Sequence, residues 1–215
     1  ALVDASPEQF TQNADPFVMA AVALYQSDLK QEAQDEELGG KIQQAYASYM
    51  RAKIAYMQSI GQAVYPDANS TLRVTYGNVT GRAHGNEDGN AWGPFTTLRG
   101  ITAKATGEGE FNAPQNQLAA IKAKRYGKYF EPAVNSVPVN YLATLDITGG
   151  NSGSAVLNGK GEFVGLAFDG TLDSIISDWD YNPANTRSIQ VDLRFMLWQM
   201  QQVDKATALL EELGV

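Results

Sequence analysis

The sequence contains no cysteine and only one histidine, His84, among its 215 residues. The first absence excludes disulfides, thiolate metal sites and cysteine catalysis. The second leaves little to build a metal centre from, and no helical His-x-x-x-His spacing exists. Basic residues are also few: 16 Lys and Arg stand against 24 Asp and Glu, giving a net charge of −8. That balance argues against a nucleic-acid partner, because phosphate binding needs clustered Lys and Arg. No stretch approaches the ~20 apolar residues of a membrane span. The start, Ala1-Leu2-Val3-Asp4, lacks a basic segment followed by an apolar run, so no signal peptide is expected in this chain. Lack of cysteine fixes no compartment, and nothing in the pattern asks for a cofactor.

What is present is an ordinary globular composition, 44% hydrophobic and 19% charged, long enough for a real core in one large domain or two small ones. The first third is helical. Ser6-Pro7-Glu8 and Asp15-Pro16 carry cap and first-turn chemistry. Phe17, Ala20, Ala21, Leu24 and Tyr25 share a face, Gly39-Gly40 interrupts, and Ile42, Tyr46, Tyr49, Met50, Ile54, Met57 and Ile60 resume the spacing. The pattern predicts an antiparallel helical pair whose tyrosine and methionine stripe is core. Strands are expected over 71–76, 95–102, 137–145 and 186–191, with a short helix over 114–125. Ala155 to Leu157 and Phe163 to Phe168 flank the turn Asn158-Gly159-Lys160-Gly161 as a β-hairpin. A terminal helix is expected over 192–213, packing through Phe195, Leu197, Trp198, Met200, Val203, Leu209, Leu210 and Leu213. The fold class is thus α+β, mainly β: a helical pair, a mostly antiparallel β region and a terminal helix.

One segment carries chemistry. Thr148-Gly149-Gly150-Asn151-Ser152-Gly153-Ser154 reads as a serine on a glycine-bounded turn entering a hydrophobic strand. A hydroxyl attacks a carbonyl well when it is exposed, a base takes its proton, and N–H groups await the oxyanion. Gly150 and Gly153 allow the tight backbone this needs. The strand that follows distinguishes it from an α/β-hydrolase elbow, which leads into a helix. A structural glycine–serine turn is the plain alternative. The order of turn, small-residue strand, hairpin, hydrophobic strand and Asp169-Gly170 resembles the second barrel of chymotrypsin-like proteases.

Longer motifs narrow the match. Tyr65 to Gly77, Thr148 to Ser154, Gly165 to Gly170, Ser177-Asp178-Trp179 and Thr186 to Arg194 closely resemble the S46 family of bacterial dipeptidyl-peptidases, and the resemblance spans essentially the whole chain. It implies a chymotrypsin-like double barrel with a helical insertion that caps the cleft and limits cleavage to dipeptides from a free N-terminus. Residues 1–64 would be the end of that insertion, and residues 65–215 the second barrel with its terminal helix. Ser152 would be the nucleophile, with its own N–H and that of Gly150 as oxyanion donors. Asp169 would hold the substrate's α-ammonium group; a turn aspartate before glycine is the plain alternative. Gly170 falls at the family's specificity position, where arginine goes with acidic P1 residues and glycine with hydrophobic ones, so a hydrophobic P1 preference is expected. Peptides with a free N-terminus are the implied substrates, and the periplasm or cell surface the implied location.

The base is the missing part. His84 sits in Gly81-Arg82-Ala83-His84-Gly85-Asn86-Glu87-Asp88-Gly89, a polar glycine-rich loop that reads as solvated rather than as the fixed setting a catalytic imidazole needs. In the resembled family the triad histidine and aspartate lie far upstream. The resemblance therefore implies a C-terminal fragment, inactive by itself, that pairs with the rest of the peptidase chain. Apolar faces left without that partner invite self-association, with a homodimer among the outcomes. A non-catalytic module that binds peptide N-termini is the rival reading; a self-contained endopeptidase using His84 is a third.

Overall fold

The computed structural model describes residues 6–62, 64, 71–82 and 92–215, and the chain divides into two compact units, Ala1–Val64 and Tyr65–Val215. In the first unit α1 (Pro7–Thr11) and α2 (Pro16–Ser59) start where proline and a capping side chain coincide. The Asp15 carboxylate accepts from the N–H of Phe17 at 2.8 Å and of Val18 at 3.3 Å, satisfying two donors of the first turn.

The expected helical pair is not there: α2 runs unbroken for 44 residues, through Gly39-Gly40. An interior glycine costs roughly 1 kcal/mol against alanine, a penalty that good helix formers on both sides offset. Lys41 pairs with Glu37 at 2.6 Å, one turn apart, spanning the two glycines. The stripe expected to be core is not core either. No residue of α2 is buried, and Ile42, Tyr49 and Ile54 are 50%, 41% and 39% exposed.

The second unit is an α+β arrangement around one antiparallel open sheet. Its strands are β1 (Phe95–Thr97), β2 (Pro138–Ala143), β3 (Ala155–Leu157), β4 (Phe163–Gly170) and β5 (Ser188–Asp192), in the order β1-β2-β5-β4-β3. The β3–β4 hairpin closes where the sequence places it. The Asn158 side chain accepts from the N–H groups of Lys160 (2.9 Å) and Glu162 (3.1 Å) and fixes the turn. The first helices of the unit are α3 (Leu98–Lys104) and α4 (Gln115–Lys122), followed by α5 (Leu193–Trp198) and α6 (Thr207–Glu212).

Three further expectations are corrected. Segment 71–76 enters no sheet: Leu72, Val74 and Tyr76 are 93%, 70% and 73% exposed. It is held instead by side chains, with Arg73 donating to the Asp146 carbonyl at 2.7 Å and the Thr75 hydroxyl accepting from the Asp146 N–H at 3.1 Å. The stretch from Phe95 is a strand for three residues only and turns into α3 at Leu98, which is fully buried. The terminal helix is three pieces, because a wide π-type turn over Gln199–Asp204 and a left-handed Lys205 (φ 56°) separate α5 from α6.

The core lies under α3, α4 and α5. Leu98, Ala120, Ile121, Tyr129, Val137, Val139, Trp198 and Val203 form one buried cluster. Trp198 is the anchor, fully buried, its indole N–H donating to the Arg125 carbonyl at 2.7 Å. Of the packing residues expected in the terminal region, Trp198, Val203 and Leu210 are buried, while Leu209 and Leu213 are 45% and 55% exposed.

Candidate functional site

The serine turn lies between β2 and β3 and is held at both ends. At its start the Thr148 N–H donates to the Asn151 side chain at 2.8 Å, and the Asn151 N–H returns a bond to the Thr148 carbonyl at 3.1 Å. The Thr148 hydroxyl donates to the Asp178 carboxylate. At its end the Gly153 N–H donates to the Ala167 carbonyl at 2.7 Å, and the Ala167 N–H to the Ser154 carbonyl at 3.0 Å. The turn is thus stitched onto β4. Gly150 and Gly153 have φ of 97° and 87°, a region that strains any residue with a Cβ.

Ser152 stands exposed between those glycines, its hydroxyl donating to the Phe168 carbonyl at 3.1 Å. That carbonyl is available because β4 bulges: Ala167 pairs with Gln190 and Asp169 with Ile189, leaving Phe168 as the extra residue. Bulges re-aim backbone and side chains beside functional sites. Asp169, next along, is exposed, and its carboxylate accepts from the Gly170 N–H at 2.8 Å. Gly170 ends β4, half-buried. Ser152 therefore reaches the bulged end of β4, where Asp169 and Gly170 follow Phe168. Gly150 sits two residues before the serine in the same turn. His84 lies outside the described residues.

Chemically the turn offers an exposed hydroxyl and left-handed glycines that re-aim nearby N–H groups. A carboxylate lies one residue beyond the carbonyl that the hydroxyl touches. Among the described residues no cluster of His, Asp and Glu could hold a metal ion, and no helix is long and apolar enough to cross a membrane. Asp178 falls inside the Ser177-Asp178-Trp179 motif, and nothing local in the sequence marks a task for it. Its link to Thr148 spans 30 residues, a distance no local pattern reports. The Phe168 carbonyl is missed for a related reason, since a bulge has no reliable signature here.

Comparison with known proteins identifies the family. A family model described as Peptidase S46 matches residues 1–215. The chain is 44% identical to an Asp/Glu-specific dipeptidyl-peptidase of Shewanella putrefaciens, covering 100% of this chain and 32% of that protein. It is 33% identical to dipeptidyl-peptidase 7 of Capnocytophaga gingivalis, covering 98% of this chain and 29% of the relative. The crystal structure of Porphyromonas endodontalis DPP11 with the dipeptide Arg-Asp superposes with a TM-score of 0.73 at 30% identity, over 98% of this chain and 30% of that one. The chain spans about a third of the length of the relatives it matches.

Proposed function

Because the chain belongs to the peptidase family S46, we propose that it is the nucleophile-bearing C-terminal portion of a serine aminodipeptidase that releases dipeptides from peptide N-termini. The observation that carries this reading is the exposed Ser152 on a turn with two left-handed glycines, stitched to the bulged strand β4. Ser152 attacks the scissile carbonyl. Its own N–H and that of Gly150 receive the oxyanion, each such donor being worth about 3 kcal/mol in the transition state. The Ser152 hydroxyl leaves the Phe168 carbonyl for a histidine base supplied by the rest of the full-length protein, where the triad aspartate also resides. Asp169 holds the substrate's α-ammonium group, because a carboxylate in a closed cleft favours a cation more than bulk water does.

Residues 1–64 are then the end of a helical insertion. Residues 65–215 become the second barrel of a chymotrypsin-like pair, its open sheet completed by the remaining chain. The relative at 44% identity is named Asp/Glu-specific and the one at 33% dipeptidyl-peptidase 7, so overall identity leans towards the acidic P1 class. Gly170 points the other way: a glycine offers no cation to an acidic P1 side chain, which supports a hydrophobic P1 preference. Secretion to the periplasm or cell surface fits a peptide-scavenging role.

The test compares the full-length peptidase with this chain on dipeptidyl amides bearing free and acetylated N-termini. The full-length enzyme is expected to cleave only the free form, and the chain alone neither. Hydrolysis by the chain alone, abolished in Ser152→Ala, overturns the assignment of the base to another part of the protein.

A further inference from the structure

We propose that Ser174 is a specificity-determining residue of the same pocket: its hydroxymethyl group fills the space in which a side chain at position 170 would begin. The inference rests on the reading of Gly170 as the P1 position. A Cβ built on Gly170 would collide with the Ser174 hydroxyl and lie 2.9 Å from the Ser174 Cβ. Real Cβ atoms do not approach other atoms so closely, so one of the two groups must move.

The turn that carries Ser174 cannot yield easily. It spans Leu172–Ile176 and is clamped on both sides of its start. Thr171, buried, donates its N–H to the Arg187 carbonyl at 2.8 Å and accepts the Arg187 N–H on its hydroxyl at 3.1 Å. Arg187 is itself buried, its guanidinium donating to the carbonyls of Gly81 (3.0 Å), Pro183 (2.6 Å) and Thr186 (2.6 Å). One residue before Ser174, Asp173 pairs with Arg82 at 2.6 Å. Within the turn the Ser174 N–H donates to the Thr171 carbonyl at 2.7 Å. With the backbone fixed on these anchors, relief must come from the Ser174 side chain.

Two consequences follow for the substrate. First, the pocket wall at this point is the Ser174 CH2–OH group, small and uncharged, and it sets how far a P1 side chain can reach past Gly170. Second, a cation cannot be introduced at 170 alone. Rotation of the Ser174 hydroxyl relieves one contact, but its Cβ, 2.9 Å away, stays in place, so acidic specificity requires a glycine at 174 as well. Positions 170 and 174 are therefore a coupled pair.

The full-length peptidase tests this with kcat/KM on dipeptidyl amides carrying Leu, Phe or Glu at P1, in the wild type, Ser174→Gly, Gly170→Arg and the double variant. Ser174→Gly is expected to shift the Phe-to-Leu ratio at least fivefold towards Phe. Gly170→Arg is expected to lose tenfold or more on every substrate, and the double variant to regain at least tenfold on Glu. Equal activity of Gly170→Arg and the double variant on Glu, or an unchanged Phe-to-Leu ratio in Ser174→Gly, overturns the proposal. A second arm needs no catalysis. In thermal melts of the full-length peptidase, Gly170→Ala is expected to lower Tm less in a Ser174→Gly background than in the wild type. Strictly additive shifts overturn the steric coupling. A wild-type enzyme that cleaves no dipeptidyl amide refutes the functional reading instead, and the melting arm still decides whether the two positions collide.

Discussion

Gly165→Ala is the perturbation whose cost can be worked most directly from the structure. Gly165 is buried in β4, paired with Val156 of β3 on one side and Asp192 of β5 on the other. A Cβ there would press into the Val191 carbonyl oxygen, 2.8 Å from the Tyr141 hydroxyl and 3.1 Å from its ring. Overpacking of a well-filled interior costs about 1–3 kcal/mol. The upper end applies here, because one obstacle is a ladder carbonyl that cannot rotate away. At about 2–4 °C per kcal/mol for a chain of this size, Tm should fall by roughly 6–12 °C. The second obstacle can be removed separately. The Tyr141 hydroxyl is buried without a hydrogen-bond partner among the described residues, so Tyr141→Phe should itself cost within about 1 kcal/mol. In that background the alanine penalty should shrink but persist, since the Val191 carbonyl remains. Melts of the four variants by circular dichroism check this. Full stability in Gly165→Ala, or complete rescue by Tyr141→Phe, would refute the packing argument.

The remaining predictions concern the serine turn and pH. Asp178→Ala unpins the Thr148 hydroxyl and should lower kcat of the full-length peptidase about tenfold with KM little changed, by analogy with other small misplacements of reacting groups. Asp178→Asn, which keeps an acceptor, should recover most of the rate, and an unaltered kcat in Asp178→Ala removes its positioning role. The Tyr141 phenol is pushed up to about 12, first by burial and then by the Asp192 carboxylate, with Arg194 opposing. The fold thus favours the neutral phenol. That contribution is complete below the unfolded value of about 10 and is lost as pH rises through about 12. The denaturant midpoint of the wild type should therefore fall relative to that of Tyr141→Phe across that interval, and parallel curves would contradict it.

Local chemistry was readable in the sequence wherever it was also decisive. Asp15-Pro16 started a helix, Asn158 closed a hairpin, and Gly150 and Gly153 took the left-handed conformations that the serine turn required. Gly39-Gly40 misled, because a glycine pair breaks a helix only when neighbours and tertiary contacts do not outweigh roughly 2 kcal/mol of propensity. The alternation over 71–76 misled in another way. It describes an extended backbone, and whether that backbone joins a ladder depends on partners far away in sequence. The segment is tied instead through Arg73 and Thr75 to Asp146. The same limit hid the contacts of Asp178 with Thr148 and of Ser174 with Gly170, of which the first joins residues far apart in the chain and the second depends on a turn after β4. Ser152 stood out on its glycine-bounded turn, whereas Asp169 and Gly170 were named only through the family resemblance, because an aspartate before a glycine is also an ordinary turn pattern.

Covalent labelling of the full-length peptidase with a fluorophosphonate tests the central claim most directly. The reagent traps an activated serine, and peptide mass mapping locates the adduct. The account predicts one adduct, on Ser152, formed in step with loss of dipeptidyl-amide hydrolysis and absent from Ser152→Ala, whose kcat falls on the order of a million-fold. An adduct on another serine, or full hydrolytic activity in Ser152→Ala, contradicts it.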